Sequence, residues 1–367
     1  WKIRAMDVTN AFLQGNEIDR TIYVEPPEEM KEEGKIWKLK RAAYGLGDAS
    51  RNWYFTVKEK IEDIGGKKSK RDNAVFTFTK DGRLNGICIL HVDDFILTGT
   101  EEFHKTTSDK ITKIFDIGKI SEGKFKYIGL VIEQREDGVY INQNEYIKNI
   151  DIPLIDNSRK DDDELERDER KLYRAITGKL NWLQMMTRPD ISFDVLELSM
   201  NNKHPTVHDL KKACKVIRKA KGQNFDIYFP KLGNINDLSM VMYTDASYAN
   251  LEKKSKSAEG RIIFLKNKMG ESQTLLWKSK TISRTAISVK GAETISLVDG
   301  LEDANYIAGL FQEIYQLTEP IPITAFIDNK SLEDSIYSTK LVEEKGLRIY
   351  IARIQEELQR KHIQDVI

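Results

Sequence analysis

The sequence predicts an α/β protein with two or three domains, and three observations lead to this fold class. The chain has 367 residues, which is enough for two or three domains that each bury a core. Hydrophobic residues make up 40% and charged residues 32%, as is typical of folded globular chains. Strand patterns and helix patterns alternate through residues 1–150 and again through residues 238–367.

The first segment, residues 1–150, is predicted to be mixed α/β. An apolar run at Gly86–Val92 predicts a strand that turns at Asp93-Asp94 and resumes as Phe95–Leu97, a hairpin with two acids at its tip. Ser50–Ile64 is predicted to be helical because Trp53 and later apolar residues recur every four positions. A second strand pair is predicted at Tyr127–Ile132 and Gly138–Ile141.

An acidic segment separates this part from the rest of the chain. Residues 156–170 hold eight acids against four bases and almost no apolar residues, which predicts an exposed linker. Helices follow, one of them with an apolar stripe formed by Leu210, Ala213, Cys214 and Ile217. Residues 151–237 are therefore interpreted as a linker with a helical connection.

The last segment, residues 238–367, is predicted to be a compact α/β domain. A long helix is predicted at Gly291–Tyr315, and a final helix at Leu341–Arg360. Four strands are predicted at Ser239–Thr244, Gly260–Leu265, Thr274–Lys278 and Ile323–Ile327.

Composition excludes several classes of protein. No apolar run approaches the ~18 residues that span a bilayer, so we expect no membrane protein. Two cysteines cannot form a disulfide scaffold or a four-cysteine zinc site. The net charge is zero, but bases cluster: Lys203–Lys221 has seven against one acid, and Leu251–Lys290 has ten against three. Each block is either a solvated face or a charged surface for a partner.

Two sets of acids could hold hard cations such as Mg²⁺. Asp7 ends a predicted strand, while Asp93 and Asp94 share a tight turn where like charges repel. An Asp-Asp pair is also simply a good turn sequence, so both interpretations stay open. In the second set, Asp245 and Asp328 end strands and Glu293 lies near a helix start, although any α/β domain has acids at strand ends.

Sequence motifs in a fixed order then identify a family resemblance. MDVTNAFLQGNEIDRTIYVEPPE, WKLKRAAYGLGDASRNWY and ICILHVDDFILTGT resemble the polymerase core of a copia-type LTR-retrotransposon reverse transcriptase. YRAITGKLNWLQMMTRPDISFDVLELSM resembles the helical connection of that family. YTDASYANL, LLWKSKTIS, KGAETISLVDGLEDANYI and FIDNKSLEDSIYSTK resemble its ribonuclease H domain. The resemblance covers almost the whole chain.

The resemblance implies a reverse-transcriptase palm at 1–150, a connection at 151–237 and a ribonuclease H-like domain at 238–367. It implies RNA-directed DNA polymerase and ribonuclease H activity, with two Mg²⁺ or Mn²⁺ ions in each active site. The implied partners are an RNA template, a DNA primer, an RNA–DNA hybrid and dNTPs, and the chain would belong to a larger polyprotein with integrase and protease. The implied metal-binding catalytic residues are Asp7, Asp93 and Asp94 in the palm, and Asp245, Glu293 and Asp328 in the ribonuclease H domain. The implied nucleotide-binding residues are Phe12, Tyr44 and Gly45, and Phe125–Leu130 resembles the primer-gripping hairpin.

Departures from the family pattern support a competing hypothesis, a degenerate or co-opted fragment that at most binds nucleic acid. The chain begins just before Asp7, so we expect the fingers to be missing and nucleotide binding to be impaired. His91 replaces the usual Tyr before the two aspartates, and Tyr350 lies where a fourth ribonuclease H carboxylate is expected. No targeting signal is present, and we expect a cytoplasmic particle or the nucleus rather than secretion.

Overall fold

The computed structural model describes residues 1–156, 158–251, 256–340, 342 and 344–367. Parts of two predictions lie outside the described residues. They are the start of the final predicted helix at Leu341, and Lys253 with Lys254 in the second basic block.

The described residues form two compact units. One comprises Trp1–Ile128 with Glu313–Gln316, and the other comprises Gly129–Gln312 with Leu317–Ile367. The division after Ile128 does not coincide with the boundaries at 150 and 237 that the sequence indicates, and the three-domain division stays a prediction.

The first unit contains one large antiparallel sheet. Its elements are β1 (Lys2–Val8), β2 (Tyr23–Val24), β3 (Trp37–Lys38), α1 (Ala49–Asp63), β4 (Lys67–Lys68), β5 (Val75–Lys80), β6 (Arg83–His91), β7 (Asp94–Gly99), α2 (Glu101–Phe103), α3 (Asp109–Ile114), β8 (Ile117–Glu122) and β9 (Lys124–Tyr127). Six strands pair in the order β4-β5-β6-β7-β1-β8. Helix α1 packs on this sheet through Trp53, Val57 and Ile61, so the four-residue spacing in the sequence is the buried face of the helix.

The second unit begins with a small sheet and a helical core. Its elements up to residue 230 are β10 (Leu130–Gln134), β11 (Gly138–Asn142), α4 (Asn144–Lys148), α5 (Arg167–Met186), α6 (Ser192–Met200), α7 (Val207–Gly222) and β12 (Ile227–Pro230). Strand β11 pairs antiparallel with β10 on one side and β12 on the other. The predicted stripe on α7 is buried, and most of it joins α5 and α6 in one apolar core.

The rest of the second unit is an α/β layer structure. Its elements are β13 (Ser239–Leu251), β14 (Lys256–Lys266), β15 (Ser272–Thr281), α8 (Val289–Tyr315), β16 (Ile323–Phe326), α9 (Lys330–Tyr337), α10 (Arg348–Gln359) and β17 (Asp365–Val366). The strands pair in the order β15-β14-β13-β16-β17. Strand β16 runs parallel to β13 and β17, and the other neighbours are antiparallel. The predicted α/β fold class is therefore confirmed.

Two predicted elements have different bounds in the structure. The strand predicted at Tyr127–Ile132 is interrupted, because Ile128 and Gly129 have positive φ angles of 42° and 81° and end β9 before β10 begins. The final helix begins at Arg348 rather than near residue 341, after a short 3-10 turn at Lys345–Leu347. Both errors come from backbone turns inside otherwise regular patterns.

The acidic segment is only partly a linker. Helix α5 begins at Arg167, and a capping box between Glu166 and Glu169 satisfies its first amides. The acids at the end of the segment thus belong to a helix start, where negative charge is favourable. No described helix combines the length and the apolar character that crossing a bilayer requires.

Candidate functional site

Three acids converge at one end of the β13–β16 strand pair. Asp245 lies on β13, Asp328 follows β16, and Glu293 lies in the first turns of α8. One carboxylate oxygen from each lies within 4.8 Å of the other two. Strands β13 and β16 are parallel, and their pairing ends at Tyr243 and Phe326, so Asp245 and Asp328, each two residues further along, lie at the same end of the paired segment.

Local hydrogen bonds hold each acid in place. Asn329 caps α9, with its side chain accepting a hydrogen bond from the Leu332 amide at 3.0 Å, and so fixes the turn that carries Asp328. The Ala246 amide donates to Glu293 Oε1 at 3.2 Å, and the Ser296 hydroxyl donates to the Asp245 carbonyl at 3.2 Å. Helix α8 and strand β13 therefore set the position of Glu293 against Asp245.

Glu293 is the buried member of the cluster. It is 3% exposed, whereas Asp245 and Asp328 are exposed. Burial, helped by the neighbouring carboxylates of Asp245 and Asp328 and opposed by the hydrogen bond from Ala246, raises the pKa of Glu293 to about 7. Its Oε2 atom is buried and has no hydrogen-bond partner among the residues that the structure describes. A carboxylate oxygen without a partner, beside two other carboxylates, fits a hard divalent cation.

Buried ion pairs anchor the helix that carries Glu293. Arg261 of β14 is 6% exposed and bridges Glu259, at 2.8 Å, and Asp303 of α8, at 2.7 Å. Because Asp303 lies on the same helix as Glu293, these pairs restrict how α8 can slide or rotate on the sheet.

The acids of the first unit are arranged differently. Asp7 of β1 lies directly opposite Asp94 of β7, and Asp93 occupies the turn before Asp94. Alternation along the strands buries Met6 and Val8 and turns Asp7 to the other face. Burial raises the pKa of Asp94, and the Asp93 and Asp7 carboxylates raise it further.

The ligand atoms of this first set of acids lie farther apart than those of the second set. Within the described ranges, Asp245, Glu293 and Asp328 form the one group of three acidic, histidine or cysteine side chains whose ligand atoms lie within 4.8 Å of one another. The sequence places both aspartates at the hairpin tip, but the turn is Val92-Asp93, and Asp94 already pairs with His91 as the first residue of β7.

The turn before Asp94 is strained. Val92 has a φ of 55°, which a β-branched residue rarely adopts. The indole Nε1–H of Trp53 donates to the Val92 carbonyl at 2.6 Å, and the Val8 amide donates to the Asp93 carbonyl at 2.9 Å. Two hydrogen bonds thus hold the backbone that presents the aspartates.

The predicted nucleotide-binding residues lie together. Phe12, in a 3-10 turn at Ala11–Gln14, is 7% exposed and packs in the core of the unit. The ring of Tyr44, which is exposed, lies on it with centroids 4.5 Å apart. Gly45 has a φ of 95°, a conformation that favours glycine.

Some residues of the two basic blocks form ion pairs with acids of the second unit, and others do not. On α7, Lys215 and Arg218 are exposed, and no described residue forms an ion pair with them. Three neighbouring lysines pair with acids: Lys211 with Asp161 at 2.7 Å, Lys212 with Glu197 at 2.5 Å and Lys219 with Asp194 at 2.9 Å. In the second block, Lys278 pairs with Asp303 at 2.8 Å and Lys280 with Glu259 at 2.9 Å.

Sequence reasoning missed two residues that shape the first set of acids. Trp53 is expected only as a core residue, and the four-residue spacing gives no sign of its hydrogen bond to the turn. Gly118 of β8 lies beside Asp7, where an added Cβ would be 3.5 Å from Asp7 Oδ2 and 2.8 Å from Thr9 Oγ1. A glycine inside a strand is the signal for such a close approach.

Comparison with protein families gives a match over part of the chain. Residues 1–159 match the family described as reverse transcriptase (RNA-dependent DNA polymerase). The retrovirus-related Pol polyprotein from transposon RE1 of Arabidopsis thaliana is 28% identical over 344 residues, which cover 87% of this chain and 22% of that protein. The transposon Ty1-DR6 Gag-Pol polyprotein of Saccharomyces cerevisiae is 26% identical over 376 residues, which cover 94% of this chain and 20% of that protein. The chain thus spans about a fifth of the length of these relatives.

Solved structures give weak overall superpositions. Ribonuclease H1 from Halobacterium salinarum has a TM-score of 0.27 at 19% identity, covering 35% of this chain and 83% of that one. The foamy viral protease-reverse transcriptase in complex with dsDNA has a TM-score of 0.24 at 14% identity, covering 100% of this chain and 68% of that one.

The matches to the two Pol polyproteins cover most of the chain and therefore extend beyond residues 1–159. Reverse transcriptases and ribonucleases H generally work with divalent metal ions. Residues 1–159 thus match the reverse transcriptase family, and the chain as a whole is similar to retrotransposon Pol polyproteins.

Proposed function

We propose that this chain hydrolyses the RNA strand of an RNA–DNA hybrid and carries the palm for RNA-directed DNA synthesis. The observation that carries the proposal is the convergence of Asp245, Glu293 and Asp328 within 4.8 Å, with one oxygen of Glu293 buried and unpaired. The family relationship supports the same chemistry. The relevant substrates are an RNA template, a DNA primer, their hybrid and dNTPs.

The residues of the cluster have distinct roles in this proposal. Asp245 and Asp328 are exposed and would face the scissile phosphate, while Glu293 holds the inner position. The three carboxylates would hold a pair of Mg²⁺ or Mn²⁺ ions. When bound, these ions would activate a water nucleophile and offset the negative charge that develops on the phosphate.

In the palm, Asp7, Asp93 and Asp94 would hold a second pair of ions. The exposed face that Asp7 and Asp94 share gives a primer end and a triphosphate room to approach. The rings of Phe12 and Tyr44 are in contact with their planes tilted by 52°, and this pair would limit the space at the sugar of an incoming nucleotide. The same proposal places the chain in a larger polyprotein with integrase and protease, acting in a cytoplasmic particle or the nucleus.

A non-catalytic nucleic-acid-binding fragment is the second candidate, and one observation favours it. Tyr350 of α10, where a fourth carboxylate is expected, packs against the apolar core, and the Arg284 guanidinium lies 5.6 Å from its ring centroid. A phenol in that position is a poor ligand for a hard cation at neutral pH. The two candidates differ in whether the cluster turns over substrate.

Hydrolysis is tested with a labelled RNA–DNA hybrid and purified protein in Mg²⁺ and in Mn²⁺. We expect cleavage that falls at least about a hundredfold in Asp328→Asn, since a ligand should matter more than the outer residues that tune a metal site. Glu319→Asn, at an exposed acid, is the matched control and should cleave normally. Binding of the hybrid without cleavage by any of these proteins would favour the second candidate.

Synthesis is tested separately by primer extension on an RNA template. We expect extension that disappears in the Asp93→Asn/Asp94→Asn double variant. Asp81→Asn is the matched control, because Asp81 occupies the neighbouring β5–β6 turn with a φ of 50° that asparagine also tolerates. Equal extension by the double variant would refute the role of these aspartates.

A further inference from the structure

The turn that carries Asp93 is a two-residue hairpin loop, Val92-Asp93, between β6 and β7. Of its two residues, only Val92 has a positive φ, at 55°. This is the pattern of a type II′ turn, whose first residue is usually glycine because glycine adopts a positive φ without strain. The chain has a β-branched valine there, so backbone strain lies directly beside two of the proposed metal ligands.

Burial of the valine does not hold this turn, because its side chain is 43% exposed. A strained backbone persists only where the surrounding structure fixes it. Trp53 of α1 is 1% exposed, and its indole N–H donates to the Val92 carbonyl at 2.6 Å. The next carbonyl, that of Asp93, accepts from the Val8 amide at 2.9 Å. Two successive carbonyls of the turn are therefore anchored, one to α1 and one to β1.

Trp53 also reaches the strand that follows the turn, through one intermediate ring. Its ring lies edge to face with Phe115 at a centroid distance of 5.3 Å, and Phe115 lies edge to face with Phe95 at 5.8 Å. Phe95 directly follows Asp94 in β7. The tryptophan is thus linked to the residue before Asp93 and to the residue after Asp94.

We propose that Trp53 is a positioning residue for RNA-directed DNA synthesis. Its indole N–H holds the Val92-Asp93 turn in the conformation that presents Asp93 and Asp94 to the metal ions. The inference rests on the proposed palm function and adds to it a buried residue that acts through the turn rather than on substrate. Phenylalanine at this position would keep the ring contact but could not donate the hydrogen bond.

The test compares Trp53→Phe with wild type and with Tyr54→Phe as the matched control. Tyr54 is the next residue of α1, and its hydroxyl donates to the carbonyl of Asn73, in the loop before β5, at 3.1 Å. Each variant therefore loses one side-chain hydrogen bond from the same helix to a backbone carbonyl and keeps an aromatic ring. Only Trp53→Phe loses its bond at the turn that carries the aspartates.

The turn is observed directly, without catalysis, by NMR of the full chain in EDTA. The dipeptide His91-Val92 occurs once in the sequence, so ¹³C-carbonyl histidine with ¹⁵N-valine gives one selected signal, the Val92 amide. Relaxation dispersion at this amide detects exchange between turn conformations on the μs–ms timescale. We expect dispersion in Trp53→Phe and a flat profile in wild type and in Tyr54→Phe.

The consequence for synthesis is measured as the single-turnover rate of adding one nucleotide to a primer on an RNA template. Trp53→Phe should lower this rate about tenfold, the effect of losing one hydrogen bond that supports the transition state. Its Kd for the primer–template should stay within about twofold of wild type, because the aspartates act on the reacting phosphate rather than on the duplex. Tyr54→Phe should match wild type in both quantities.

A Val92→Gly background separates positioning from packing. Glycine adopts the φ of this position without strain, so the turn needs less support from the indole. There Trp53→Phe should lower the rate by less than about threefold, which is a coupling between the two sites. A tryptophan that merely stabilises the fold would cost the same factor in both backgrounds.

A flat dispersion profile in Trp53→Phe, a wild-type rate in that variant, or an equal loss in both backgrounds would overturn the inference. Failure of the proposed synthesis is a separate result, seen as no extension by the wild type in Mg²⁺ or in Mn²⁺. In that case the NMR comparison still decides whether Trp53 holds the turn, since it needs neither metal nor substrate.

Discussion

Replacing Glu293 by glutamine should stabilise the metal-free protein, and much more at pH 8 than at pH 5. Burial raises the pKa of Glu293 to about 7, from an ordinary value of 4.5. The folded state therefore holds this proton more tightly than the unfolded state. Below pH 4.5 both states are protonated and the group costs nothing, whereas above pH 7 the folded protein bears a buried charge.

The size of the effect follows from the pKa difference. Each pKa step of one is worth 1.36 kcal/mol, so at pH 8 the ionised side chain costs the fold about 3 kcal/mol. At pH 5 most of this cost is absent, and about 1 kcal/mol remains. Glutamine is neutral at both pH values and can still accept the hydrogen bond from the Ala246 amide, so Glu293→Gln removes the pH-dependent cost alone.

Hydrogen exchange of β13 and β14 followed by mass spectrometry is the suitable assay, since it reports the opening of this unit rather than of the whole chain. Wild type, Glu293→Gln and the exposed-site control Glu319→Gln are compared in EDTA at pH 5 and pH 8. We expect protection in Glu293→Gln to exceed wild type by roughly a hundredfold at pH 8 and by less than tenfold at pH 5. The same ratio at both pH values would refute the assignment of the buried charge to Glu293.

Three further changes test the packing around the two sets of acids. Trp53→Phe removes the N–H that binds the Val92 carbonyl and should cost about 1–3 kcal/mol of unfolding free energy; unchanged stability in urea would show that the bond is dispensable. Gly300→Ala places a Cβ 2.8 Å from a methionine sulfur of β13 and should cost about 1–3 kcal/mol by overpacking, seen as a lower urea midpoint; a wild-type midpoint would contradict it. Arg261→Met leaves the Glu259 carboxylate buried without this partner and should cost about 3–5 kcal/mol, seen as faster exchange in β14; a loss below about 1 kcal/mol would mean that water or Lys280 replaces the arginine.

Regular patterns predicted most of the architecture. The four-residue spacing of Trp53, Val57 and Ile61 gives a helix at 50–64, and the structure has it at Ala49–Asp63. The β6–β7 hairpin follows from an apolar run broken by two acids. The interruption at Ile128-Gly129 could not be predicted, because a positive φ inside an apolar run depends on what the neighbouring strands require rather than on the run itself.

The sequence identifies the candidate site residues, but it does not predict their geometry. Motifs in the family order pick out all six acids, yet nothing in their spacing shows that Glu293 is buried and that Asp245 and Asp328 are exposed. That difference arises because α8 lies on the sheet and presents Glu293 to the amide of Ala246. Single-sequence spacing carries no information on contacts between residues 47 positions apart.

The two sets of acids differ because their sheets differ. Strands β13 and β16 are parallel, so Asp245 and Asp328 lie at the same end of the paired segment, and helix α8 supplies the third acid, Glu293. In β1 and β7 the strands are antiparallel, so Asp7 and Asp94 meet only as register partners, and the turn must supply the third acid. The first arrangement brings three carboxylates together before any ion binds, and it buries one of them, Glu293, so that burial raises the pKa of that side chain to about 7. The second arrangement leaves its acids spread over an open face. An incoming triphosphate would there help to coordinate the metal ions.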